Sequence, residues 1–373
     1  MTKLFFGAVF FLSFYRISVF YYFAYISIFI NFSYLLFLFS SISKASKFIY
    51  CAKWENVLIL FLFFYSLVVD ILYGADFDSM SLSIRIFFMV FVSIFSAFFI
   101  VEEYIKNDVK KLIWILKFSF FVQLFFWIAT YISVDFKVAV YNIIGASDSV
   151  NLWPQNIESR GFGLSNEINF TSPSVSVFIS LILIGLNSPI VLLNAVTQLV
   201  NSNLVAVAAI LGFVGAKIKV INKIILAIAS LGLVFYFGVK YIPRFSDEIE
   251  SGGIRTVQIL IENHLNFHNN GFWEWLFGAG TKVYGEESGS DIGWVILINY
   301  YGVISIFLVL FLLIALSMRA FKNRIHQFLW LTFGLILNTK GLVIGANAYI
   351  FMTFVFIFIR YNHEMKGDSH EIR

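Results

Sequence analysis

Long apolar runs recur along this chain with only short polar stretches between most of them, and that rhythm limits its possible folds more than any motif it contains. The runs lie near 4–20, 24–42, 56–73, 84–101, 112–134, 171–187, 189–200, 203–217, 224–241, 293–317, 326–340 and 342–360. A helix needs about 20 mainly apolar residues to cross the hydrocarbon of a bilayer. Composition agrees, because 60% of the 373 residues are hydrophobic and 13% charged, against roughly 25% charged in a soluble domain. The rhythm predicts an all-α polytopic integral membrane protein with about 12 transmembrane helices, forming a single transmembrane domain over 1–373. Lys3 precedes the first run and no small-residue cleavage site follows it, so that segment is expected to be retained.

The run over 189–217 reads either as one long helix or as two short ones meeting at Asn201-Ser202-Asn203. The distribution of basic residues chooses between them. Two helices bring Lys217, Lys219 and Lys223 to the same side as Lys44, Lys47, Lys106, Lys110, Arg319, Arg324 and Arg360. That side is then cytoplasmic by the positive-inside rule, with both termini on it. Two long segments, 135–170 and 242–292, fall on the opposite, external side. In the second, apolar positions 254, 257, 260 and 261 follow helical spacing, which predicts a membrane-surface helix, with Trp273, Trp275 and Phe277 as interfacial anchors.

The external segments also hold the residues best suited to chemistry. Arg160-Gly161-Phe162-Gly163 precedes Glu167 and a helix; glycines let backbone approach a ligand, and arginine offers a fork of donors matched to phosphate oxygens. An ordinary loop, with Glu167 as partner of a helix N-terminus, is the alternative. Arg244 and Arg255 flank Asp247, Glu248 and Glu250, and serve either a diphosphate at the membrane surface or exposed salt bridges of little worth. His264 and His268 stand four apart, a spacing that places both on one helical face; either is a candidate base. Asp291, just before a helix starting at Gly293, reads as a helix cap or as a polar group facing the active region. Lys340, in Asn338-Thr339-Lys340-Gly341, is a candidate for the same region, whereas Arg16, Asp70 and Arg85 read as helix-end residues that snorkel. The single cysteine, Cys51, excludes an intrachain disulfide. With no Cys/His ligand spacing, neither a metal nor another cofactor is expected.

Several patches resemble the O-antigen (oligosaccharide repeat-unit) polymerases of the Wzy type and the related O-antigen ligases. They are Arg160-Gly161-Phe162-Gly163-Leu164 followed by Asn166-Glu167, then Leu276-Phe277-Gly278-Ala279-Gly280, then Ser290-Asp291-Ile292-Gly293-Trp294 and Gly302, together with the turn from Thr197 to Asn203. Family members often carry Thr-x-Ser-Arg at that turn; this chain has no arginine there. The resemblance implies a GT-C-like glycosyltransferase of the bacterial inner membrane, acting in lipopolysaccharide O-antigen biosynthesis with a periplasmic active site. Its donor and acceptor would be undecaprenyl-diphosphate-linked oligosaccharides, its surroundings the lipid bilayer, and a chain-length regulator a candidate further partner; no nucleic acid is implied. On this reading Arg160, Arg244 and Arg255 grip the diphosphate, with Gly161, Gly163 and Lys340 in the same binding region. Glu167 or Asp291 activates the acceptor, with His264 as the other base. The alternatives are an O-antigen ligase, a polytopic glycan flippase or transporter, whose charges should line several mid-membrane helices, and a structural membrane subunit.

Overall fold

The computed structural model describes residues 1–17, 42–73, 81–146, 161–166, 170–186, 188–216, 262–269, 271–280 and 290–365. These residues are helical without a strand. The helices are α1 (Thr2–Phe14), α2 (Ile42–Cys51), α3 (Lys53–Leu72), α4 (Leu82–Ile105), α5 (Val109–Ile132), α6 (Val134–Ile143) and α7 (Thr171–Ile184). They continue as α8 (Pro189–Asn201), α9 (Leu204–Gly215), α10 (Phe272–Phe277), α11 (Gly293–Ala320), α12 (Arg324–Leu337) and α13 (Ala348–Met365). Four of them, α3, α4, α5 and α11, are long and apolar enough to cross a membrane. At about 1.5 Å per residue, the 20 residues of α3 reach about 30 Å.

The side chains of these helices are distributed inside-out relative to a water-soluble protein. On α3 the buried face carries Glu55, Ser66 and Asp70, while Phe61, Phe64, Val68 and Ile71 are exposed. On α5, Ser119, Gln123 and Thr130 are buried, whereas Phe121, Phe125 and Ile132 face outward. Water would reverse this arrangement; lipid tolerates it, and polar groups turn inward to find partners. The innermost helices are α7 and α13. Thr171 to Leu181 of α7 and Ala348 to Ile359 of α13 are buried on every side. The serines of α7, together with Gly212 and Gly215 of α9, allow close packing: a Cβ at Gly212 would stand 2.9 Å from Leu181.

The two ends of the bundle differ in charge. At the lower end Lys44 pairs with Glu103 at 2.5 Å, and Lys47 with Glu102. There Arg360 donates to Glu364 at 2.8 Å and to the carbonyls of Met318 and Phe321, each at 2.9 Å. The upper end holds the starts of α4, α7, α11 and α13. Ser202, between α8 and α9, is tied to Lys340 at the upper end at 3.4 Å, whereas Gly215 O meets His326 of α12 at 3.1 Å at the lower end. Pro189–Asn201 and Leu204–Gly215 are therefore two helices, as expected; Lys217, Lys219 and Lys223 lie outside the described residues.

Two departures from the apolar rhythm shape the upper end. The expected run over 342–360 becomes helical only at Ala348; Gly341 to Asn347 form a buried, irregular segment. Side-chain amides replace its missing backbone bonds. Asn338 Oδ1 accepts from Val343 N at 2.9 Å, and Asn347 donates to Val343 O at 2.6 Å while accepting from Ile350 N at 3.0 Å. Without those bonds such a segment could not lie in an apolar interior. Secondly, α11 breaks at Gly302, where φ is 71°. The break receives the α10 turn: a Cβ on Gly302 would lie 2.3 Å from Leu276 O, and one on Gly278 would lie 1.9 Å from Tyr300 O. Tyr65 donates to Tyr301 O at 2.6 Å and Ser305 to Gly302 O at 2.7 Å, so the kink leaves these carbonyls partnered.

Asp70 does not snorkel. It is buried, accepting from the Tyr301 hydroxyl at 2.8 Å and from Ser83, while the Tyr301 oxygen accepts from Leu82 N at 2.6 Å. This network ties α3, α4 and α11 together just below the upper end. The predicted surface helix over 254–261 lies outside the described residues. Trp273, Trp275 and Phe277 stand on α10 and are exposed, with Trp273 stacked on Phe277 at 6.0 Å.

Candidate functional site

The glycine-rich loop 161–165 sits at the upper end on a platform built by α5, α6 and the end of α1. Thr130 Oγ1 accepts from Phe162 N at 3.2 Å and Gly163 N at 3.3 Å, and Gln123 Oε1 accepts from Leu164 N at 2.9 Å. Tyr141 donates to Gly163 O at 3.2 Å. Glycine is required by approach as well as by angle: a Cβ on Gly161 would lie 2.4 Å from Trp127 O, and one on Gly163, whose φ is +73°, would lie 2.3 Å from Gln123 Nε2. At the far end of the loop, Ser165 Oγ and Asn166 N donate to Tyr15 O at 3.3 and 3.2 Å, occupying a carbonyl that the end of α1 leaves open. Most of these contacts fix the loop's backbone. Arg160 and Glu167 themselves lie outside the described residues, as do Arg244 and Arg255.

Under this loop runs α6, capped by Ser133, whose Oγ accepts from Phe136 N at 3.2 Å. Its inward face carries Lys137, fully buried, with the ammonium 5.2 Å from the Phe162 ring centroid. Burial pushes the Lys137 amine down to about 8 and the Tyr141 phenol above its ordinary range. The sign of the consequence follows from linkage. Below about pH 8 the folded protein carries the cost of a charged, desolvated amine, and that cost disappears as the pH rises toward the ordinary lysine value near 10.4. The wild type should therefore gain thermal stability relative to Lys137→Met between pH 8 and 10, read as melting temperature in detergent. Parallel curves across that range would contradict the assignment.

Three further cations stand on segments that pack on or next to those packing on the first turn of α7. Arg16 follows Tyr15 and Phe14, and Phe14 O accepts from Ser172 Oγ at 3.3 Å. Arg85 Nη1 approaches Gly345, at 3.8 Å from where its Cβ would stand, and Ala348 N, three residues on, donates to Thr171 Oγ1 at 3.3 Å. Lys340 adjoins Gly341, whose Cβ would stand 3.2 Å from the Phe170 ring, and its Nζ donates to Ser202 Oγ at 3.4 Å. All three are half-buried, and Nε of both arginines is sealed from solvent. Arg16 and Arg85, expected as snorkelling helix ends, are thus partly covered rather than fully exposed. The polar face of α5 was legible: Ser119, Gln123 and Thr130 recur at helical spacing in an otherwise apolar span.

His264 and Asp291, two of the predicted acid–base candidates, meet. The backbone N–H of Asp291 donates to His264 Nδ1 at 3.1 Å, so the neutral ring carries its proton on Nε2, which stands 3.7 Å from Asp291 Oδ2. The carboxylate is exposed, with 69% of its side chain accessible. Two residues on, Gly293 packs on the 338–341 turn: its Cβ would lie 2.5 Å from Gly341 O and 2.7 Å from Asn338 O. The acid–base pair thus adjoins Lys340.

Contrary to their spacing, His264 and His268 do not share a helical face, because residues 265–269 are not helical and are held by α11: Asn299 Oδ1 accepts from His268 N at 3.2 Å and its amide donates to Asn266 O at 2.8 Å. Asp291 does not cap a helix either; Ile292 holds the N-cap position of α11. Among the described residues no cluster of three His, Cys, Asp or Glu side chains could hold a metal ion. In comparisons with known proteins, no family model matches the chain, and neither a curated protein nor a solved structure matches it significantly.

Proposed function

We propose that this protein is a membrane glycosyltransferase of the O-antigen polymerase type, joining polyprenyl-diphosphate-linked oligosaccharide repeats at the external face of the bacterial inner membrane. The observation that carries this reading is that three half-buried cations, Arg16, Arg85 and Lys340, stand on segments that converge at the upper end with the start of α7, where Asp291 presents an exposed carboxylate. Cations and a helix N-terminus suit a diphosphate. Arg160, Arg244 and Arg255 are assigned to the same grip, and Glu167 to its edge. The lower end, with Lys44, Lys47, Arg319 and Arg360, is assigned to the cytoplasm by its positive charge, which makes the upper end external.

In the proposed reaction the acceptor hydroxyl oxygen attacks the anomeric carbon of the donor. The carbon–phosphate-oxygen bond breaks and its electron pair stays with the lipid diphosphate, whose growing charge the cations stabilise. The hydroxyl proton passes to a carboxylate. Asp291 fits that task better than His264, since both ring nitrogens of His264 are directed at Asp291 and the Asp291 carboxylate is exposed to solvent. Asp291→Asn is expected to lower chain extension by roughly 100-fold or more, and His264→Gln by about tenfold, both in folded protein. Equal losses, or a larger loss for His264→Gln, would transfer the role of base.

The transporter reading calls for charge facing the interior of several mid-membrane helices. Lys117, the charge farthest from the ends of α5, points outward instead. Surface polysaccharide from a deletion strain tests the proposal: the banding ladder should vanish while a single-repeat product remains. Loss of all attached glycan would indicate a ligase or a flippase.

A further inference from the structure

The outward face of α5 carries two lysines among apolar side chains. Lys110, Trp114, Lys117 and Phe121 recur at spacings of four, three and four, so they fall on one side of the helix. Lys110 and Lys117 are exposed, and above them Phe121 and Phe125, 62% and 60% exposed, continue that side as plain hydrocarbon. A helix side of this composition faces lipid. Lys117 stands eight residues beyond Val109, where α5 begins, hence about 12 Å along the axis.

A second helix brings another cation to the lower part of this face. α1 and α5 run parallel: the loop over 161–166 bonds to the upper ends of both, through Gln123 and Tyr15 O, while Phe6 stacks at 4.9 Å on Tyr104, just before α5. A Cβ on Gly7 would stand 2.8 Å from the Phe118 ring, which stacks on Trp114 at 5.5 Å. Lys3 precedes Gly7 by one turn on the same side of α1 and is exposed. Among the described residues none of these three ammonium groups is paired with a carboxylate. Asp108 is the nearest acid in sequence, and it caps α5 by accepting from Lys110 N at 2.9 Å.

A cation turned toward lipid within an apolar span is costly unless its stem carries the charge back to the headgroups. We propose that this face binds an acidic phospholipid of the leaflet at the lower end, with its phosphate between Lys110 and Lys117, Lys3 beside them and Trp114 at the boundary of headgroup and acyl chain. The site is independent of the reaction proposed above. A second copy of the chain offers no counter-charge for it. Among the described residues of the long spans, Glu55 and Asp70 are buried, while Glu102 and Glu103 are paired with Lys47 and Lys44. Two copies meeting through this face about a two-fold axis would set lysine against lysine.

Native mass spectrometry of the full-length protein, released from micelles containing equal amounts of phosphatidylglycerol and phosphatidylcholine, tests the site. The wild type should retain phosphatidylglycerol over phosphatidylcholine by about tenfold or more, and the double variant Lys110→Gln, Lys117→Gln should bring the ratio close to one. Lys322→Gln, which removes an exposed lysine between α11 and α12, should keep the wild-type ratio. If the double variant fails to fold, Lys117→Leu alone, suited to contact with lipid, should lower the ratio about fivefold. A wild-type ratio near one, a preference that survives in the double variant, or an equal fall in Lys322→Gln overturns the proposal. A wild-type dimer that the double variant dissociates would give the face to a second copy and overturn it as well.

Discussion

Lys340→Met, Arg16→Gln and Arg85→Gln are each expected to cut the extension of lipid-linked glycan by roughly 100-fold or more, with the protein still folded in detergent. The size follows from what a fixed donor contributes to charge that grows only in the transition state, about 10² to 10³ per group in a water-poor site. It also follows from placement. The three residues stand on three different segments of the upper end, just after α1, in the first turns of α4 and in the link before α13, and each is half-buried. A snorkelling cation serves solubility, and its neutral replacement would leave turnover nearly unchanged. Single-turnover extension of a purified lipid-linked repeat separates the outcomes. Lys340→Arg should recover part of the loss, since it returns the charge with a different geometry. Full activity in all three neutral variants would dissolve the proposed grip.

The second large effect concerns folding. Gly278→Ala should abolish or sharply reduce recovery of folded protein, because a methyl group would enter within 1.9 Å of Tyr300 O at a position whose φ is +93°. Left-handed backbone costs a non-glycine residue about 1–2 kcal/mol before any overlap. Here the overlap is with main chain at the α11 break, which Tyr65 and Tyr73 hold from α3: Tyr73 donates to Gly278 O at 2.6 Å. Together the terms reach about 3 kcal/mol or more. Gly271→Ala is the matched control. It starts the same short helix, has φ −128°, and has open space where the methyl would go, so its melting temperature should equal that of the wild type. Equal stability of the two variants would mean that α10 is not keyed into the kink.

Much of this architecture was legible in the sequence, and the parts that were not share a physical cause. Spans such as α3, α5 and α11 announce themselves because hydropathy is a local property of each window. The break at Ser202-Asn203 was expected from charge, because two helices bring Lys217, Lys219 and Lys223 to the side of the other basic loops under the positive-inside rule. The platform under Gly161 and Gly163 was only half legible: the glycines mark a close approach without naming Gln123, Thr130 and Trp127 as what they approach. The irregular segment after Asn338 was not legible. Leu342, Val343 and Ile344 are as apolar as any helix, and they leave helical geometry because Asn338 and Asn347 supply bonds from outside the local backbone. The spacing of His264 and His268 likewise suggested a helix that Asn299, about thirty residues away, overrides. How far the Arg16 and Arg85 side chains are covered was not legible, because the covering of a helix-end cation is decided by neighbours distant in sequence.

The central claim is that the upper end grips the diphosphate of a lipid-linked glycan and transfers that glycan to a second one. Its most direct measurement supplies the purified protein, reconstituted in nanodiscs, with lipid-diphosphate-linked repeat units from its own cell and no other substrate. Products lengthened by whole repeats should appear, with one lipid diphosphate released per new linkage, and both should disappear in the combined Arg16→Gln, Arg85→Gln, Lys340→Met variant. Lipid-linked repeats that remain unlengthened, or lengthening that persists in the combined variant, would contradict the claim.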